Sequence, residues 1–562
     1  MIVNMKKIPR QGIAFILSLC FCYTLAAQKP AASRPSIIII MADDMGYSDI
    51  GCYGGEINTP HLDRLSKNGL KMMNFYNNAR CCPTRASLLT GQYAHKVGLA
   101  NNGNALTRNG ATIAELLKEN GYQTAMAGKW HLSDDVQMST KEGQLKWLNH
   151  QAFADSPFAS PESYPINRGF QKHYGVIWGV VDYFDPFSLV DGERPVKEVP
   201  DNYYITDAIN QKSVEYIKEF TAKQQPYFLY VAYTAPHWPV QARPEDIDKY
   251  KDTYKMGWDE LRKQRYDRMV KMKLIDPATT PLLDVMGRMG EWNKLSGEEK
   301  EKQAAKMAAH AAMIDRLDQG VGQIMATLEQ TKTLDNTLII FLADNGASPE
   351  IINTPGYDRP SQTRDGRKLE YDKDVQTANI GKEISYTGIG SNWANAANTP
   401  YRFWKMESFE GGIHTPMIVY WPAGLKTKKG SSTNILGHVT DILPTLLDIS
   451  RTKYPSSYHD HALTPLDGKS FLPLLRGTEY HGREGIFFEH AKGKAYIKGH
   501  WKLVMQTSGN EWELYDLGKD KNENNNLAAQ YPGKLQEMKT EWENWYNNMK
   551  PYIKLRPGSG PQ

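Results

Sequence analysis

Five runs of apolar, β-branched or aromatic residues recur along the chain, and each has the length of a buried strand. The runs cover residues 37–41, 122–127, 227–232, 338–342 and 417–421. Helical patterns lie between them, so the alternation predicts an α/β fold with a large, mostly parallel central sheet flanked by helices. We expect all five runs to be parallel strands of that sheet.

The clearest helical pattern covers residues 296–331. Ser296 and Glu299 have the spacing of a capping box. Apolar residues then recur on one helix face: Met307, Ala311, Ile314, Leu317, Val321, Ile324 and Leu328. From about residue 350 to 400, Asn, Thr, Gly and Ser are frequent without periodicity, which predicts a long loop region.

The texture of the sequence changes after Asp467-Gly468. Four short runs are typical of antiparallel strands: 486–489, 495–497, 502–505 and 513–517. An amphipathic helix follows at about 532–549. These elements predict a catalytic domain over residues 28–480 and a small C-terminal subdomain over residues 481–562.

The N-terminal segment is typical of a secretory signal peptide. Basic residues precede the apolar run 13–25, and Ala26-Ala27 offers small residues for cleavage. The run is short for a membrane span, and bulky neighbours make lipid attachment at Cys20 or Cys22 the weaker alternative. We expect residues 1–27 to be removed and the protein to be secreted or periplasmic, without stable membrane insertion.

Composition and charge narrow the class of protein. The 562 residues are 40% hydrophobic and 23% charged, which is ordinary for a globular protein and excludes a disordered one. Three positive charges leave with the signal peptide, so the net charge falls from +4 to +1 and nucleic acid is not an expected partner. The remaining cysteines are too few for a disulfide framework: Cys52, Cys81 and Cys82.

Polar residues follow four of the predicted strands: Asp43 and Asp44, Lys129 and His131, His237, and Asp344 and Asn345. Ligands of open α/β sheets bind at the carboxyl ends of the strands, so we expect these residues to converge. Asp43 and Asp44 alone would be ordinary turn residues. Together with Asp344 and Asn345 they offer oxygen ligands for a hard cation, Ca²⁺ or Mg²⁺.

Residues 79–91 carry the most informative pattern in the chain. Pro83 suits the first turn of a helix and Gly91 its end, so Cys81 falls at the helix N-terminus. That position favours anions and lowers the pKa of a thiol, which predicts a reactive cysteine. The alternative is that Cys81 and Cys82 are small buried side chains.

Cys81, Pro83 and Arg85 form a Cys-x-Pro-x-Arg pattern, which four further blocks accompany: residues 42–47, 127–131, 343–346 and 410–413. From residue 37 to the C-terminal segment, the sequence resembles the type I, formylglycine-dependent sulfatases. Residues 398–405 and the helical insert after His237 resemble the bacterial arylsulfatase branch. The resemblance implies an alkaline-phosphatase-like sandwich with a C-terminal antiparallel subdomain, and the hydrolysis of sulfate monoesters.

The resemblance also implies a maturation step and a metal. A formylglycine-generating enzyme would oxidise Cys81 to formylglycine, whose hydrate attacks sulfur, beside one divalent cation for which Ca²⁺ is preferred to Mg²⁺. The implied metal ligands are Asp43, Asp44, Cys81, Asp344 and Asn345. Relatives often carry Ser where this chain has Cys82, but only Cys81 lies two residues before Pro83, so we expect Cys82 to be a packing residue.

Each remaining site residue receives a role from the same resemblance. Arg85 would hold the hydrate, and Asp344 would accept the proton of the nucleophile. Lys129 and Lys405 would bind sulfate oxygens. His237 would protonate the leaving oxygen, and His131 would orient the second hydroxyl of the hydrate.

The alcohol part of the substrate is the most open question. Export favours a sulfated glycan, with simple aryl sulfates as an alternative. Two rival classes are a phosphate or phosphonate monoester hydrolase of the same superfamily and a non-catalytic sulfated-glycan-binding protein. Six aromatic residues are candidates to stack on a ring or to belong to the core: Trp178, Tyr183, Phe184, Trp238, Trp393 and Trp404. We take a monomer as the default state.

Overall fold

A mixed ten-stranded sheet forms the centre of the computed structural model, which describes residues 34–284, 287 and 290–553. In chain order, the strands are β1 (Ser36–Ala42), β2 (Leu70–Met72), β3 (Phe75–Tyr76), β4 (Gln123–Gly128), β5 (Lys172–Val176), β6 (Leu189–Asp191), β7 (Arg194–Pro195), β8 (Tyr227–Ala232), β9 (Thr337–Ala343), β10 (Glu370–Tyr371), β11 (Ser385–Tyr386), β12 (Met417–Tyr420), β13 (Ser431–Thr433), β14 (Gly437–His438), β15 (Ser457–Tyr458), β16 (His461–Ala462), β17 (Gly485–His490), β18 (Gly493–Lys498), β19 (Trp501–Met505) and β20 (Glu513–Asp516). The central sheet has the order β13-β2-β12-β9-β1-β8-β4-β5-β6-β7.

Helices cover both faces of this sheet. They are α1 (Pro60–Asn68), α2 (Cys81–Thr90), α3 (Ile113–Glu119), α4 (Lys141–Leu148), α5 (Ile205–Ala222), α6 (Pro244–Ile247), α7 (Trp258–Lys271), α8 (Gly297–Gln330), α9 (Gly390–Ala397), α10 (Glu410–Ile413), α11 (Ile442–Ser450), α12 (Leu472–Leu475) and α13 (Pro532–Met549). Because successive strand side chains point to opposite faces, Ile38 and Ile40 of β1 pack in the core on the α5–α8 side, and Ile37 and Ile39 in the core on the α2–α3 side. The predicted α/β sandwich is confirmed.

All five predicted runs are strands of the central sheet, but one prediction about them is wrong. β1 pairs in parallel with β8 and β9, and β4 pairs in parallel with β8. Residues 417–421 were expected to be parallel, whereas β12 is antiparallel to β9. The Gly346 N–H donates to the Gly412 carbonyl at 3.1 Å, so the chain enters β12 at the edge where β9 ends and must run backwards. An apolar run does not encode its direction.

The prediction was more accurate for the long helix α8 than for the loop region that follows it. Helix α8 begins as predicted, because Ser296 Oγ accepts from the Glu299 N–H, while the Glu299 carboxylate accepts from Gln303. Residues 350–400 are largely irregular, as predicted, apart from the short paired strands β10 and β11 and the buried helix α9. That helix was missed because it is short and rich in Gly, Ser and Asn, which are weak helix formers, although its Trp393 is fully buried.

The C-terminal segment forms the predicted antiparallel sheet, β17-β18-β19-β20. Helix α13 packs against it through Met538, Trp542 and Trp545. The boundary between residues 480 and 481 stays a prediction. Among the described residues, no helix is long and apolar enough to cross a membrane, and the predicted signal peptide lies outside those residues.

Candidate active site

The carboxyl ends of β1 and β9 bring together four of the predicted metal ligands. Asp43 and Asp44 follow β1, and Asp344 and Asn345 follow the neighbouring β9. The Asp44 N–H donates to Asp344 Oδ1 at 3.1 Å, and Asn345 Nδ2 donates to Asp44 Oδ1 at 2.7 Å. All four side chains are buried. Asp44 has a positive φ of 66°, which turns the chain sharply at the end of the strand.

This cluster fits a divalent cation. Asp43 Oδ1 and Asn345 Oδ1 are buried and have no hydrogen-bond partner among the described residues, which is costly unless another group satisfies them. Ligand atoms of Asp43, Cys81 and Asp344 all lie within 4.8 Å of one another. Burial and the charge of Asp43 raise the pKa of Asp344 well above its usual range. A cation would relieve this repulsion, and the oxygen-rich set suits Ca²⁺ or Mg²⁺.

Two buried cations belong to the same cluster. Arg85 of α2 donates from Nη2 to Asp344 Oδ2 at 2.9 Å and from Nη1 to the Lys129 carbonyl at 3.1 Å. Lys129 Nζ lies 2.5 Å from Asp43 Oδ2 and is fully buried. Burial opposes ionisation of Asp43, but the charges of Lys129, His237 and Arg85 outweigh it and lower its pKa. Asp43 is therefore held as a carboxylate.

Cys81 is the first residue of α2, as predicted, and Gly91 ends the helix with a positive φ of 66°. The prediction of a lowered thiol pKa is wrong. Cys81 is only 2% exposed, and burial raises its pKa despite the nearby charges of Lys129 and Lys405. The encoded thiol is therefore a poor nucleophile here, while its surroundings remain those of an anion site. Cys82 packs in the core on the α2–α3 side.

His131 is the neighbour of Cys81 on the cleft side. Its Nδ1 lies 3.3 Å from Cys81 Sγ, and its backbone has a positive φ of 57°. Burial, followed by the charges of Lys129 and Arg85, lowers the pKa of His131 well below its usual range. The imidazole is therefore neutral and can accept a proton.

Lys405 and His237 both approach the carboxylate of Asp44. Lys405 Nζ lies 2.9 Å from Asp44 Oδ2 and 3.2 Å from His237 Nε2. His237 Nδ1 lies 2.6 Å from the Trp238 carbonyl, which assigns the ring proton to Nδ1. Burial lowers the pKa of His237, and Lys405 adds to the effect. The seven predicted catalytic residues thus converge around the carboxyl edge of the sheet.

Sequence reasoning missed Glu350. Its Oε2 lies 3.0 Å from Lys405 Nζ, and it also accepts from Trp238 Nε1 at 2.8 Å and Ser348 Oγ at 2.9 Å. Burial opposes its ionisation, but Lys405 and His237 lower its pKa. The available signal was its position six residues after Asp344, in the same loop at the strand end.

A cleft of about 650 Å³ opens above Cys81, and His131, His237 and Lys405 line it. The six candidate aromatic residues separate into groups. Trp178 and Trp238 line this cleft, and Trp404 lines a neighbouring cavity. Tyr183 and Trp393 belong to the core, and Phe184 packs at its margin. Two other histidines are paired elsewhere: His95 with Glu489 at 2.7 Å and His414 with Glu410 at 2.7 Å.

The comparisons with known proteins identify this chain as a hydrolase of sulfuric esters. The chain belongs to the sulfatase family, since residues 35–451 match the family profile for sulfatases. Residues 401–547 also match the profile described as N-sulphoglucosamine sulphohydrolase, C-terminal. The match to the first profile spans the residues from β1 to α11, including every predicted site residue.

Relatives agree with this assignment. An arylsulfatase of Klebsiella aerogenes is 33% identical over 82% of this chain and 95% of its own. An N-acetylglucosamine-6-O-sulfatase of Bacteroides thetaiotaomicron is 25% identical over 95% of this chain and 90% of its own. The crystal structure of Ps i-CgsB in complex with k-i-k-neocarrahexaose has the same fold, with a TM-score of 0.62, 24% identity, and coverage of 91% of this chain and 93% of that one.

Proposed function

We propose that this sulfatase is an exported, Ca²⁺-dependent enzyme that removes sulfate from sulfated glycans, with Cys81 converted to formylglycine. The observation that carries the proposal is the position of Cys81 at a helix N-terminus, beside the carboxylates and under the cleft. A formylglycine-generating enzyme is the partner in maturation, and the mature protein is a monomer. Export rests on the signal-like residues 1–27.

Asp43, Asp44, Asp344 and Asn345 would hold the cation, with position 81 as a further ligand. When bound, it would neutralise charge on the sulfate group and acidify a hydroxyl at position 81. Ca²⁺ is favoured over Mg²⁺ because four buried side chains can each offer an oxygen, whereas Mg²⁺ usually keeps several waters and few protein ligands.

Hydrated formylglycine at position 81 would supply two geminal hydroxyls: one attacks sulfur, and loss of the proton from the other re-forms the aldehyde and expels sulfate. Arg85 lies close to both the nucleophile and its base. Its Nη2 donates to Asp344, and its own helix carries position 81. Asp344 is the acceptor for the first hydroxyl proton. The neutral His131, whose Nδ1 is 3.3 Å from Sγ, is the acceptor for the second.

Lys405 and His237 would act where the alcohol departs. The Lys405 ammonium lies at the cleft and would offset charge on the sulfate oxygens. In its doubly protonated form, His237 would deliver the Nε2 proton to the departing oxygen, and Asp44 Oδ2, 3.4 Å from Nε2, favours that form. Lys129 donates to Asp43, so it would offset charge in the site through that carboxylate.

A glycan substrate is supported by the cleft and by one relative. Planar polar side chains line the cleft together with Trp178 and Tyr357: Asn101, Asn102, Asn104 and Asp135. Such groups hydrogen-bond to sugar hydroxyls, while aromatic faces stack on sugar rings. Asn102 Oδ1 is buried and has no hydrogen-bond partner among the described residues. The Bacteroides relative is named for the 6-O-sulfate of N-acetylglucosamine.

The test combines mass spectrometry with turnover. The peptide that contains position 81 of the active protein should carry formylglycine, and N-acetylglucosamine 6-sulfate should release sulfate with a larger kcat/KM than 4-nitrophenyl sulfate. An active protein with an unoxidised Cys81 would reject the mechanism. A preference for 4-nitrophenyl sulfate would favour an arylsulfatase, the activity named for the Klebsiella relative.

A further inference from the structure

A second cavity of about 640 Å³ adjoins the cleft above Cys81. Both cavities are lined by Glu350, Arg359 and Lys405, so these side chains form the border between them. Each cavity alone falls within the roughly 300–1,000 Å³ of a site for one drug-sized ligand. The two together are larger than one sulfated monosaccharide needs, and they lie on both sides of Lys405.

Hydrogen bonds to the C-terminal segment fix one wall of the second cavity. Thr507 of the C-terminal segment donates from its N–H to Glu407 Oε2 at 3.0 Å and from Oγ1 to the Met406 carbonyl at 3.0 Å. Trp404 lines the same cavity. These contacts hold the chain around Lys405 against the C-terminal segment and leave an aromatic face on the cavity.

Arg359 is the cation at the border whose charge is least compensated. Its exposed fraction is 30%, and its Nε donates to the Gly356 carbonyl at 3.1 Å and lies 3.6 Å from Asp358 Oδ1. No hydrogen bond joins Nη1 or Nη2 to a residue that the structure describes. By contrast, Lys405 is already in contact with Asp44 and Glu350.

The position of Arg359 is fixed by its backbone. Gly356 and Arg359 exchange two hydrogen bonds, at 2.9 and 3.1 Å, which close a tight turn. Two acids of the second cavity already accept hydrogen bonds through Oε2: Glu407 from Thr507, and Glu350 from Lys405, Trp238 and Ser348. The planar guanidinium is therefore preorganised to bind an anion through two N–H groups.

We infer that Arg359 is a specificity-determining residue that binds a second anionic group of the glycan, one sugar unit away from the sulfate that is cleaved. The inference rests on the proposed glycan function. It implies that the preferred substrate is an oligosaccharide whose chain continues from the cleft into the second cavity. A sulfate and a uronate carboxylate share the chemistry that Arg359 would recognise, since both accept two parallel hydrogen bonds.

The experiment compares Arg359→Ala and Arg359→Lys with wild-type protein, all matured and saturated with Ca²⁺. The control is Arg367→Ala, because Arg367 is 48% exposed on the same segment and lines neither cavity. Four substrates are used: 4-nitrophenyl sulfate, N-acetylglucosamine 6-sulfate, an oligosaccharide with a second sulfate, and one with a uronate.

Arg359→Ala should lower kcat/KM about tenfold or more on at least one charged oligosaccharide, because charge-assisted hydrogen bonds are lost. Its kcat/KM for 4-nitrophenyl sulfate should stay within about twofold, since this substrate does not reach Arg359. Arg359→Lys should retain part of the wild-type kcat/KM on the same oligosaccharide. The oligosaccharide on which Arg359→Ala loses more kcat/KM identifies the anion.

Equal losses on all four substrates, or no loss on either oligosaccharide, would overturn the inference while sulfatase activity stands. Wild-type protein that cleaves 4-nitrophenyl sulfate but no sulfated sugar would overturn the inference together with the glycan substrate. Wild-type protein that cleaves no sulfate ester would instead overturn the proposed function on which the inference rests.

Discussion

The Lys405 ammonium lies 3.0 Å from the Glu350 carboxylate, at the rim of the cleft. Glu350 also accepts from the indole N–H of Trp238, the residue after His237. One carboxylate therefore connects Lys405, the lysine proposed to bind sulfate, to the loop that carries the proposed general acid. This contact makes Glu350 a positioning residue, because it acts through Lys405 and Trp238.

Glu350→Gln should lower kcat about tenfold, because the ion pair with Lys405 is replaced by a weaker hydrogen bond from the ammonium to a neutral amide oxygen. The pH profile of kcat should also shift, since the charge that balances Lys405 is removed. Glu484→Gln, at an exposed position, is the matched control and should leave both measurements unchanged. A wild-type kcat and pH profile for Glu350→Gln would show that Glu350 does not position Lys405.

Calcium should stabilise the folded protein. Binding at the carboxylate cluster at about one hundred times Kd would add about 2.7 kcal/mol to the free energy of unfolding. Differential scanning fluorimetry should show a rise in Tm with Ca²⁺ that Asn345→Ala abolishes and that a chelator reverses. If Tm is insensitive to Ca²⁺ and Mg²⁺ in wild-type protein, the cluster is not a cation site.

The two adjacent cysteines should respond differently to substitution. Cys81→Ala should reduce kcat by about 10³-fold or more, because it removes the nucleophile. Cys82→Ala should keep kcat within about twofold while lowering stability by about 1 kcal/mol, because it leaves a small gap in the core. The measurements are sulfate release and urea unfolding. An inactive Cys82→Ala protein that remains folded would contradict this division of roles.

Lys502 should be important for stability, because it is buried between Glu410 at 2.8 Å and Glu523 at 2.7 Å. Lys502→Met would leave these carboxylates without their cation and should cost about 3–5 kcal/mol in the free energy of unfolding. The matched control is Lys498→Met in β18, whose partner Glu541 is partly exposed, with an expected cost of about 1 kcal/mol or less. Similar costs for both variants would refute a special role for Lys502.

Asp318 should make stability depend on pH. Burial raises its pKa to about 7, although the Leu62 and His61 N–H groups donate to it at 2.7 and 3.1 Å. A carboxyl whose folded-state pKa is raised contributes most at low pH, and that contribution falls as pH rises from about 4 to 7. In urea unfolding, the free energy of unfolding of wild-type protein should therefore fall relative to that of Asp318→Asn as pH rises across this range. A constant difference would argue against the raised pKa.

Most of the site could be predicted because strand ends are visible in a sequence. An apolar run followed by Asp-Asp or Asp-Asn marks both the strand and its carboxyl edge, and parallel pairing of β1, β8, β9 and β4 then places their ends together. The positions of Asp43, Lys129, His237 and Asp344 follow from this rule.

Other features depend on tertiary contacts that no local pattern encodes. The pKa of Cys81 was mispredicted because the sequence reveals the helix N-terminus, which lowers a thiol pKa, but not the burial of the side chain, which raises it. Glu350 has no periodic context, and its importance comes from Lys405, 55 residues away. The direction of β12 depends on which edge the chain enters, and that is fixed by the contact between Gly346 and Gly412.

The burial of Cys81 has a consequence for the order of events in biosynthesis. In the finished fold, its side chain is 2% exposed, and α2 is packed on the sheet. An enzyme that oxidises this side chain has to reach it. The oxidation proposed for position 81 would therefore precede folding, and a molecule that folds first would remain an inactive thiol.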